Sequence, residues 1–422
     1  MSRMVIDGGF PLSGSVRING AKNSALPIMA ASILCQGPIV LKNIPKLNDV
    51  ETMAKVLEAL GIKIQINDCG DWKLSSFSGV NEEAPYELVK TMRASFFVMG
   101  PLLARRKCAR VPLPGGCAIG VRPVNIHLKG FEALGARVGL DAGYAVAKAD
   151  KLIGTKVHFD FPSVGATENL MMAATLAEGT TIIENAAREP EIEDLADFIN
   201  SMGGKIKGAG TPTISIDGVN ELGSVEYKII PDRIEAGTFM VLGALSKGAI
   251  SVENCIPVHS GAVIEKLREM GACLDFQDSR VIVSGKKRLL PVELKTLPFP
   301  GFPTDMQAQF MVAMCLAGGT SIITESVFEN RFMHVGELIR MGANLSIRDR
   351  TVVIKGVEKL KGAPLVATDL RAGAAMVIAG LVADGRTEVS KVHHIHRGYQ
   401  NFVERINALG AKIQYFDGDG DE

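Results

Sequence analysis

Apolar and polar positions along the chain form one pattern that recurs six times. In each copy an amphipathic segment ends at a glycine and continues into alternating apolar and polar residues, as in LEALGIKI at 57–64 and INALGAKI at 406–413. This pattern is typical of a surface helix that stops at a glycine and leads into a strand. The glycines follow one another at roughly 70 residues, which indicates an internal structural repeat. They are Gly61, Gly135, Gly203, Gly271, Gly342 and Gly410.

A second strand pattern lies upstream of this phrase in most copies, for example GTTIIEN at 179–185 and GAISVEN at 248–254. Its β-branched residues alternate with polar ones, as in a half-buried strand. Before it comes a segment that is apolar nearly all round, such as 166–177 or 370–383. A helix without a polar face must be surrounded by protein. The predicted unit is therefore strand, buried helix, strand, surface helix, strand.

A unit of roughly 70 residues is longer than the usual solenoid repeat, so six of them favour two globular halves. We expect each half to hold three units, with the buried helices wrapped inside sheets, and the halves to divide near residue 230. The segment from Met4 to Ile18 precedes the first full unit. We expect this segment to complete the last unit.

Composition narrows the class of protein. Apolar residues make up 47% and charged residues 22% of the 422 positions, and Lys plus Arg equals Asp plus Glu at 46 each. This balance disfavours a general nucleic-acid binder. The start of the chain has no signal-peptide pattern, and the longest apolar stretch, 372–383, is shorter than the ~20 residues of a membrane span. Seven cysteines without a CxxC pair fit a reducing cytoplasm. We expect a cytoplasmic protein that binds neither nucleic acid nor a membrane.

Polar residues recur where the first strand of each unit meets the buried helix. Helix caps account for serine and aspartate at such positions. They account poorly for a cation, because the helix N-terminus is the positive end of its dipole. A bound anion would compensate both the cationic side chain and the positive end of the helix dipole. The residues at these junctions are Lys22 and Asn23, Arg93, Ser163, Asp232 and Arg233, Asp305, and Asp369 and Arg371.

Basic residues also recur in the loop before each surface helix. Solvated loop charge explains any single one of them. Their recurrence at a second position of the unit instead suggests one site lined with guanidinium groups, which bind phosphate and carboxylate in a bidentate manner. These residues are Arg122, Arg188, Arg331 with Glu329, and Arg397 with His396.

Cys117 lies in a glycine-rich loop, 113–123, where the spacing between repeat glycines is largest. Three glycines between two prolines predict a mobile loop, and the thiol lies five residues from Arg122. We interpret Cys117 as a reactive or acidic group. A hydrolase pairing Cys117 with His127 is an alternative. The run His393-His394-x-His396 has no spaced Cys or carboxylate partner that would complete a metal site.

At these residues the chain resembles the enolpyruvyl transferases. The most specific stretch is LPGGCAIGVRPV at 113–124, and the resemblance covers essentially the whole sequence. It implies two inside-out α/β domains of three repeats each, with the active site in the cleft between them. The implied boundaries are 22–229 for one domain, which carries the Cys117 loop, and 1–21 with 230–422 for the other, with hinge crossings near 21 and 230. Further matching stretches are GAKNSALP (20–27), KTMRASF (90–96), SVGATEN (163–169), GTTIIENAAREPEI (179–192), PDRIEAGTF (231–239), FPTDMQAQF (302–310), ESVFENRFMHV (325–335), ATDLRAG (367–373) and HIHRGY (394–399).

The resemblance implies transfer of the enolpyruvyl group of phosphoenolpyruvate to the 3′-hydroxyl of UDP-N-acetylglucosamine, with release of phosphate, in peptidoglycan precursor synthesis. No metal or organic cofactor is implied. Cys117 would be the general acid and the target of fosfomycin-type epoxides, and Asp305 would take the hydroxyl proton. Lys22, Arg122 and Arg397 would bind phosphoenolpyruvate. The UDP-sugar would contact Asn23, Arg93, Arg122, Pro123, Val124, Asn125, Ile126, Ser163, Val164, Asp305 and Val327, and Asp369 and Arg371 would complete the closed site.

Two positions depart from the family pattern, since Asn125 and His396 stand where the family more often has Asp. Neither change removes a reacting group. One alternative is 5-enolpyruvylshikimate-3-phosphate synthase, whose family lacks the Cys loop. Another is a non-catalytic UDP-sugar-binding relative, which would be expected to have lost Cys117, Asp305 or Lys22. We expect a monomer or a weak homo-oligomer.

Overall fold

The structure is a computed structural model that describes residues 2–75, 79–90, 92–113, 124–285 and 288–418. These residues form two compact units. The first unit comprises the described residues from 20 to 230, and the second unit comprises those from 2 to 19 and from 231 to 418.

Strands and helices alternate along both units. The strands are β1 (Arg3–Asp7), β2 (Gly14–Arg17), β3 (Ile39–Lys42), β4 (Lys63–Ile66), β5 (Trp72–Ser75), β6 (Cys108–Pro112), β7 (Arg137–Asp141), β8 (Tyr144–Lys148), β9 (Lys156–His158), β10 (Thr180–Glu184), β11 (Ile206–Lys207), β12 (Thr213–Asp217), β13 (Val225–Lys228), β14 (Ile250–Glu253), β15 (Cys273–Gln277), β16 (Arg280–Ser284), β17 (Glu293–Lys295), β18 (Thr320–Thr324), β19 (Asn344–Arg348), β20 (Thr351–Lys355), β21 (Pro364–Val366), β22 (Arg386–Ser390) and β23 (Lys412–Phe416). The α-helices are α1 (Lys22–Ala31), α2 (Asn48–Ala59), α3 (Tyr86–Val89), α4 (Met99–Arg106), α5 (Asn125–Ala133), α6 (Val164–Ala174), α7 (Pro190–Ser201), α8 (Arg233–Leu245), α9 (Gly261–Glu269), α10 (Gln307–Cys315), α11 (Val335–Arg340), α12 (Leu370–Val382) and α13 (Phe402–Asn407). The 3-10 helices are Ser32–Leu34, Arg93–Val98, Pro257–Ser260, Thr304–Met306 and Val392–Arg397.

Within the described residues each unit contains three small sheets, of which β6-β8-β7 is antiparallel throughout and the other five are mixed. Those of the first unit have the strand orders β13-β3-β5-β4, β6-β8-β7 and β11-β12-β10-β9. Those of the second unit are β15-β16-β14-β2, β17-β18-β20-β19 and β21-β22-β1-β23. In the sheet of β9 to β12, β9 runs parallel to β10, and β10 and β11 each pair antiparallel to β12. The α/β fold and its repetition are therefore as the sequence predicted.

The repeat has one strand more than predicted, because the surface helix is followed by a hairpin and not by a single strand. In the second repeat β7 pairs antiparallel to β8 across a two-residue turn, Ala142-Gly143, in which both residues have positive φ. The first strand of this hairpin is mostly exposed. Its apolar–polar alternation is consequently weak, which explains why the sequence pattern merged it with its neighbour.

Two strands exchange places between repeats. β2 precedes α1 in the chain, but β2 runs parallel to β14 in the second unit. β13 precedes α8, but β13 runs parallel to β3 in the first unit. Within the described residues the chain therefore passes between units at residues 19–20 and 230–231. The N-terminal segment contributes β1 to the sixth sheet, between β22 and β23, as predicted for it, whereas β2 belongs to another sheet.

Buried helices occupy the core of each unit. They are α1, α4 and α6 in the first unit and α8, α10 and α12 in the second. Nearly every residue of α1, α6, α8, α10 and α12 is buried, as their lack of a polar face predicted. Helix α4 was not among the predicted helices and ends in the half-buried Arg105 and the exposed Arg106. Within the described residues no helix combines the length and the apolar character that crossing a membrane would require. The starts of these helices carry most of the candidate site residues.

Candidate functional site

Three of the candidate residues, Cys117, Arg122 and Pro123, lie outside the described residues. The other candidates are described, and each unit brings a subset of them together with partners that the sequence did not reveal.

In the first unit, Lys22 begins α1 and faces a carboxylate. Its Nζ lies 3.1 Å from Oδ2 of Asp49, in the first turn of α2, and both side chains are mostly buried. A cation at the start of a helix is unfavourable, and Asp49 offsets part of that cost. From the sequence we expect a bound anion to compensate the charge of Lys22. In the structure Asp49 supplies part of that compensation. Asp49 was missed because an acid in the first turn of a surface helix is commonplace.

A buried carboxylate also holds the first turn of α1. Ser24, adjacent to Asn23, donates to Oδ2 of Asp194 at 2.6 Å, and the Tyr227 hydroxyl donates to Oδ1 at 2.7 Å. The backbone N–H of Ile230 donates to Oδ2 at 3.4 Å. Burial raises the pKa of Asp194 to about 6, although these donors work to lower it. Asp194 therefore ties the helix that carries Lys22 and Asn23 to α7 and to the end of β13.

Arg93 begins a 3-10 helix whose Phe96 packs edge-on against His127, with ring centroids 5.2 Å apart. The Asn169 amide nitrogen lies 3.0 Å from His127 Nδ1 and 3.0 Å from the carbonyl of Phe96, and its oxygen accepts from the N–H of Gly100. Because this nitrogen is a donor, His127 Nδ1 accepts and Nε2 carries the proton of the neutral ring. Burial, assisted by Arg93, lowers the pKa of His127 to about 3.

This environment does not suit His127 to the role of a general base in a Cys–His hydrolase. Its ring is buried, one nitrogen is engaged by Asn169, and the ring is a very weak base. The partner in that alternative, Cys117, lies outside the described residues. The rings of His393 and His394 are tilted against each other with centroids 4.1 Å apart, and the ring of His396 packs edge-on against Tyr415. Across the described ranges no three His, Cys, Asp or Glu side chains are grouped to hold a metal ion.

Several candidates of the first unit lie at the starts of helices. The Ser163 hydroxyl accepts from the N–H of Ala166 at 3.4 Å, so Ser163 is an N-cap of α6, and Val164 is the first residue of that helix. Val124 precedes α5, which Asn125 and Ile126 begin. These contacts are those of ordinary helix starts. They are also positions where free N–H groups suit an anion.

In the second unit, Asp305 lies between two arginines. Nη2 of Arg331 is 2.8 Å from Oδ1, and Nη2 and Nε of Arg371 are 3.1 and 3.2 Å from Oδ2. The arginine side chains are only 5% and 4% exposed, whereas that of Asp305 is 26% exposed. Burial works to lower the pKa of Arg371, but Asp305, Tyr399 and Asp232 outweigh it and hold that pKa above its usual value. Asp305 is therefore an accessible anion fixed by two buried cations.

A further buried carboxylate, Glu325, orders the segment beside Asp305. Its Oε1 accepts from the N–H of Val327 at 2.8 Å and from the hydroxyl of Thr296 at 2.7 Å. Its Oε2 accepts from Thr304 at 2.8 Å, and the Thr304 hydroxyl accepts from Arg331 at 2.9 Å. The backbone at Val327 and the guanidinium of Arg331 are thus held by one network. Glu325 was missed because its side-chain partners, Thr296 and Thr304, are distant in sequence.

Asp369 is the N-cap of α12. Its Oδ1 accepts from the N–H groups of Arg371 and Ala372 at 2.9 and 3.0 Å. Arg397 is half-buried and ends a 3-10 helix. Asp369 thus fixes the backbone from which the Arg371 side chain reaches Asp305.

A family model described as EPSP synthase (3-phosphoshikimate 1-carboxyvinyltransferase) matches residues 6–406. The chain belongs to the enolpyruvyl transferase family. The family and the α/β fold expected from the sequence motifs are therefore confirmed. Among curated members of this family, UDP-N-acetylglucosamine 1-carboxyvinyltransferase 2 of Carboxydothermus hydrogenoformans is 56% identical over 98% of this chain and 99% of that protein. UDP-N-acetylglucosamine 1-carboxyvinyltransferase of Thermodesulfovibrio yellowstonii is 53% identical over the same shares of the two chains.

Solved structures of enolpyruvyl transferases have the same fold. NikO from Streptomyces tendae matches with a TM-score of 0.89 at 25% identity, over 98% of this chain and 99% of that one. EPSP synthase from Acinetobacter baumannii matches with a TM-score of 0.77 at 18% identity, over 99% and 100% of the two chains, which shows a shared fold alone.

Proposed function

We propose that this protein transfers the enolpyruvyl group of phosphoenolpyruvate to the 3′-hydroxyl of UDP-N-acetylglucosamine and releases phosphate, as a step of peptidoglycan precursor synthesis in the cytoplasm. The observation that carries the proposal is the 56% identity, over 98% of the chain, to a UDP-N-acetylglucosamine 1-carboxyvinyltransferase. The likeness to an EPSP synthase structure is at 18% identity, so shikimate 3-phosphate is not favoured as the acceptor. A non-catalytic relative is disfavoured because Lys22, Cys117 and Asp305 are all retained.

Cations bind the anionic substrates in this proposal. Phosphoenolpyruvate is small and multiply charged, so several fixed cations are needed to hold it. Lys22, Arg122 and Arg397 take this role. Arg93, with Asn23, the segment 122–126, Ser163, Val164 and Val327, contacts the UDP-sugar, and Asp369 and Arg371 order the site around Asp305. The helix-start positions of Lys22, Ser163 and Val164 support these roles because their backbone donors favour anions.

Asp305 and Cys117 carry the proton transfers in this proposal. The sugar hydroxyl loses its proton to Asp305 as its oxygen bonds to C2 of phosphoenolpyruvate, and Cys117 protonates C3. The Cys117 thiolate then takes a proton back from C3, the bond from C2 to the phosphate oxygen breaks, and the double bond returns in the enolpyruvyl ether. The proton on Asp305 passes to the departing phosphate or to solvent. No electron is gained or lost in the sequence. The two guanidinium groups on Asp305 support its role, because they favour the ionised carboxylate that can accept a proton.

Phosphate release tests the proposal. The purified protein is given phosphoenolpyruvate with either UDP-N-acetylglucosamine or shikimate 3-phosphate, and free phosphate is measured. We expect phosphate to be released from phosphoenolpyruvate when UDP-N-acetylglucosamine is the acceptor, and not when shikimate 3-phosphate is. Release only with shikimate 3-phosphate, or with neither acceptor, would contradict the proposal.

Substitution of the two proton-transfer residues tests their roles. Asp305→Asn keeps the size of the side chain but removes the base, and a fall in kcat of about 10²–10⁴-fold is expected. Cys117→Ala should abolish phosphate release, whereas Cys117→Asp should keep part of it because a carboxyl can also donate a proton. Asp349→Asn, the same change in an exposed hairpin turn of the second unit, is the matched control for Asp305. Full activity of Asp305→Asn would remove Asp305 from the mechanism.

A further inference from the structure

A buried polar cluster in the second unit takes no part in the proposed reaction. Tyr399, Thr238 and Gln309 meet in the core of this unit, where polar side chains are uncommon. We propose that Tyr399 is a positioning residue, which fixes the guanidinium of Arg371 and, through it, the carboxylate of Asp305. This inference rests on the proposed function, since it assigns a task to the group that takes the hydroxyl proton.

The hydroxyl of Tyr399 is held in one orientation. The Thr238 hydroxyl donates its only proton to the carbonyl of Ile234 at 2.8 Å. In its 2.8 Å contact with Thr238, the Tyr399 hydroxyl is therefore the donor. The Gln309 amide nitrogen donates to Thr238 at 3.1 Å and reaches the Tyr399 hydroxyl at 3.4 Å. Phe402 packs against the same ring, with centroids 4.8 Å apart. The tyrosine side chain is consequently fixed both at its hydroxyl group and by the packing of Phe402 against its ring.

The face of this ring lies against Arg371. The central guanidinium carbon is 5.6 Å from the ring centroid, within the range of a cation–π interaction. Two other nitrogens of the same guanidinium contact Oδ2 of Asp305. Nη1 is buried without a hydrogen-bond partner of good geometry among the described residues, and the Tyr399 hydroxyl lies near enough to the guanidinium to help hold its pKa above the usual value. Tyr399 supplies the contact that keeps the guanidinium aligned with Asp305.

Alignment matters because the two arginines control how readily Asp305 accepts a proton. With both in place the carboxylate is held still and its charge is strongly stabilised. If Arg371 tilts away, Oδ2 loses two hydrogen bonds, the carboxylate binds protons more readily, and its position relative to the sugar hydroxyl is less well fixed. Loss of the Tyr399 ring should therefore lower kcat and move the acid limb of the kcat profile to higher pH.

Other ionisable groups surround this pair, and their titration must be distinguished from that of Asp305. Burial lowers the pKa of His334 to about 4, which is below the range of the experiment. Burial raises the pKa of Tyr399, so its hydroxyl stays neutral. The described charged or titratable groups around Asp305 and Arg371 are Arg331, Asp232, Asp369, Glu325, His334, His394 and Tyr399.

The experiment compares kcat profiles between pH 5.5 and 9 at saturating phosphoenolpyruvate and UDP-N-acetylglucosamine. Tyr399→Leu should lower kcat about tenfold or more, move the acid limb upward by about 0.5 unit or more, and change either KM by less than about threefold. Tyr399→Phe keeps the ring between Arg371 and Phe402 and should retain about a third or more of kcat. Thr238→Val should behave as Tyr399→Phe does. The double variant should be no worse than either single one, since both remove the same hydrogen bond.

Control variants distinguish positioning from general weakening of the core. Phe310→Leu removes a comparable ring from the same unit, where it packs on Phe302, and should lower the melting temperature without moving the acid limb. Arg371→Lys keeps the charge but loses the two-nitrogen contact, and should reproduce the limb shift even if Tyr399→Leu does not fold. An unmoved acid limb in Tyr399→Leu, or in Arg371→Lys, would overturn the inference. An equal fall in kcat in Tyr399→Leu and Tyr399→Phe would also overturn it. If Asp305→Asn is inactive while Tyr399→Leu has the wild-type profile, only this inference fails; if Asp305→Asn is fully active, the base role fails first.

Discussion

The two passages of the chain between units are held by buried carboxylates in different surroundings. At residues 19–20, the backbone N–H and the side-chain amide of Asn19 donate to Glu235 of α8 at 2.9 and 3.2 Å. At residues 230–231, the N–H of Ile230 donates to Asp194 of α7. Asn19 and Glu235 belong to the second unit, and Ile230 and Asp194 belong to the first. At each passage, a buried carboxylate therefore binds the last residue of its own unit before the chain crosses to the other.

The partners of the two carboxylates differ in charge. Glu235 pairs with the guanidinium of Arg405, which also donates to the carbonyl of Arg17 at 2.7 Å. The donors that Asp194 receives from the described residues are all neutral. Burial raises the pKa of both carboxyl groups; Arg405 counters it at Glu235, whereas at Asp194 the neutral donors leave the pKa at about 6. One passage therefore depends on an ion pair, and the other on a carboxyl group that takes up a proton in mild acid.

A third buried carboxylate, Glu168 of α6, completes the series because neither of its oxygens has a hydrogen-bond partner among the described residues. Burial, with Glu191 and Glu189 nearby, holds the pKa of Glu168 well above its usual value. We therefore expect the native group to be a neutral acid. The three residues show that burial alone does not determine whether a carboxyl group is charged. Its charge also depends on whether a cation, neutral donors or no hydrogen-bond partner lies beside it.

The largest effect is expected from removing the cation at the first passage. Arg405→Met leaves Glu235 buried without its charge partner, and should lower the free energy of unfolding by about 3–5 kcal/mol in denaturant titrations. Adding Glu235→Gln should recover part of that loss, since no buried charge then remains. Arg268→Met breaks the exposed pair with Glu265 in the same unit and should change stability by less than about 1 kcal/mol. Equal effects of Arg405→Met and Arg268→Met would show that Glu235 does not depend on its cation.

Much of this fold could be predicted from local pattern. Glycines such as Gly61 and Gly410 mark the ends of surface helices, and both have the positive φ that a helix stop requires. The all-apolar helices are central, as their lack of a polar face demands. Local pattern could not predict that β2 pairs with β14 and β13 with β3, because strand pairing between distant segments leaves no local signal; the family resemblance alone placed 1–21 with 230–422.

The candidate site was predictable to a similar extent. Lys22 and Asp305 were found because a polar residue at the start of an apolar helix breaks the local pattern. Their partners Asp49 and Arg371 come from other helices, and their pairing depends on tertiary packing. The proposed positioning residue Tyr399 ends the matching stretch 394–399, but nothing in the sequence assigns it a task, since a tyrosine among apolar residues fits ordinary core packing.

An intermediate effect is expected from Asp194→Asn, and it depends on pH. The folded-state pKa of about 6 lies above the usual value of 3.8, so the folded protein binds more protons than the unfolded chain between those values. The stability that Asp194 contributes is fully present below about pH 4, falls as the pH rises through 6, and is constant above. Relative to wild type, Asp194→Asn should therefore gain up to about 3 kcal/mol between pH 4 and pH 7. Asp197→Asn, an exposed position on the same helix, should show no such trend, and a flat difference for Asp194→Asn would mean that the carboxylate stays charged throughout.

The smallest effect is expected at Glu168, where substitution removes a group that is already neutral. Glu168→Gln should change the free energy of unfolding by less than about 1 kcal/mol at pH 5, because no donor or cation is left without a partner. The sign of its pH dependence follows from the raised pKa. Unfolding releases a proton from wild type above the ordinary pKa of a glutamate, so the variant should become relatively more stable as the pH rises from 5 to 8. Glu178→Gln, at an exposed pair with Lys151 in the same unit, should lack this trend. A loss of about 2 kcal/mol or more in Glu168→Gln at pH 5 would instead mean that the native carboxylate is ionised and bound by a cation, which would place Glu168 with Glu235 and leave Asp194 as the exception.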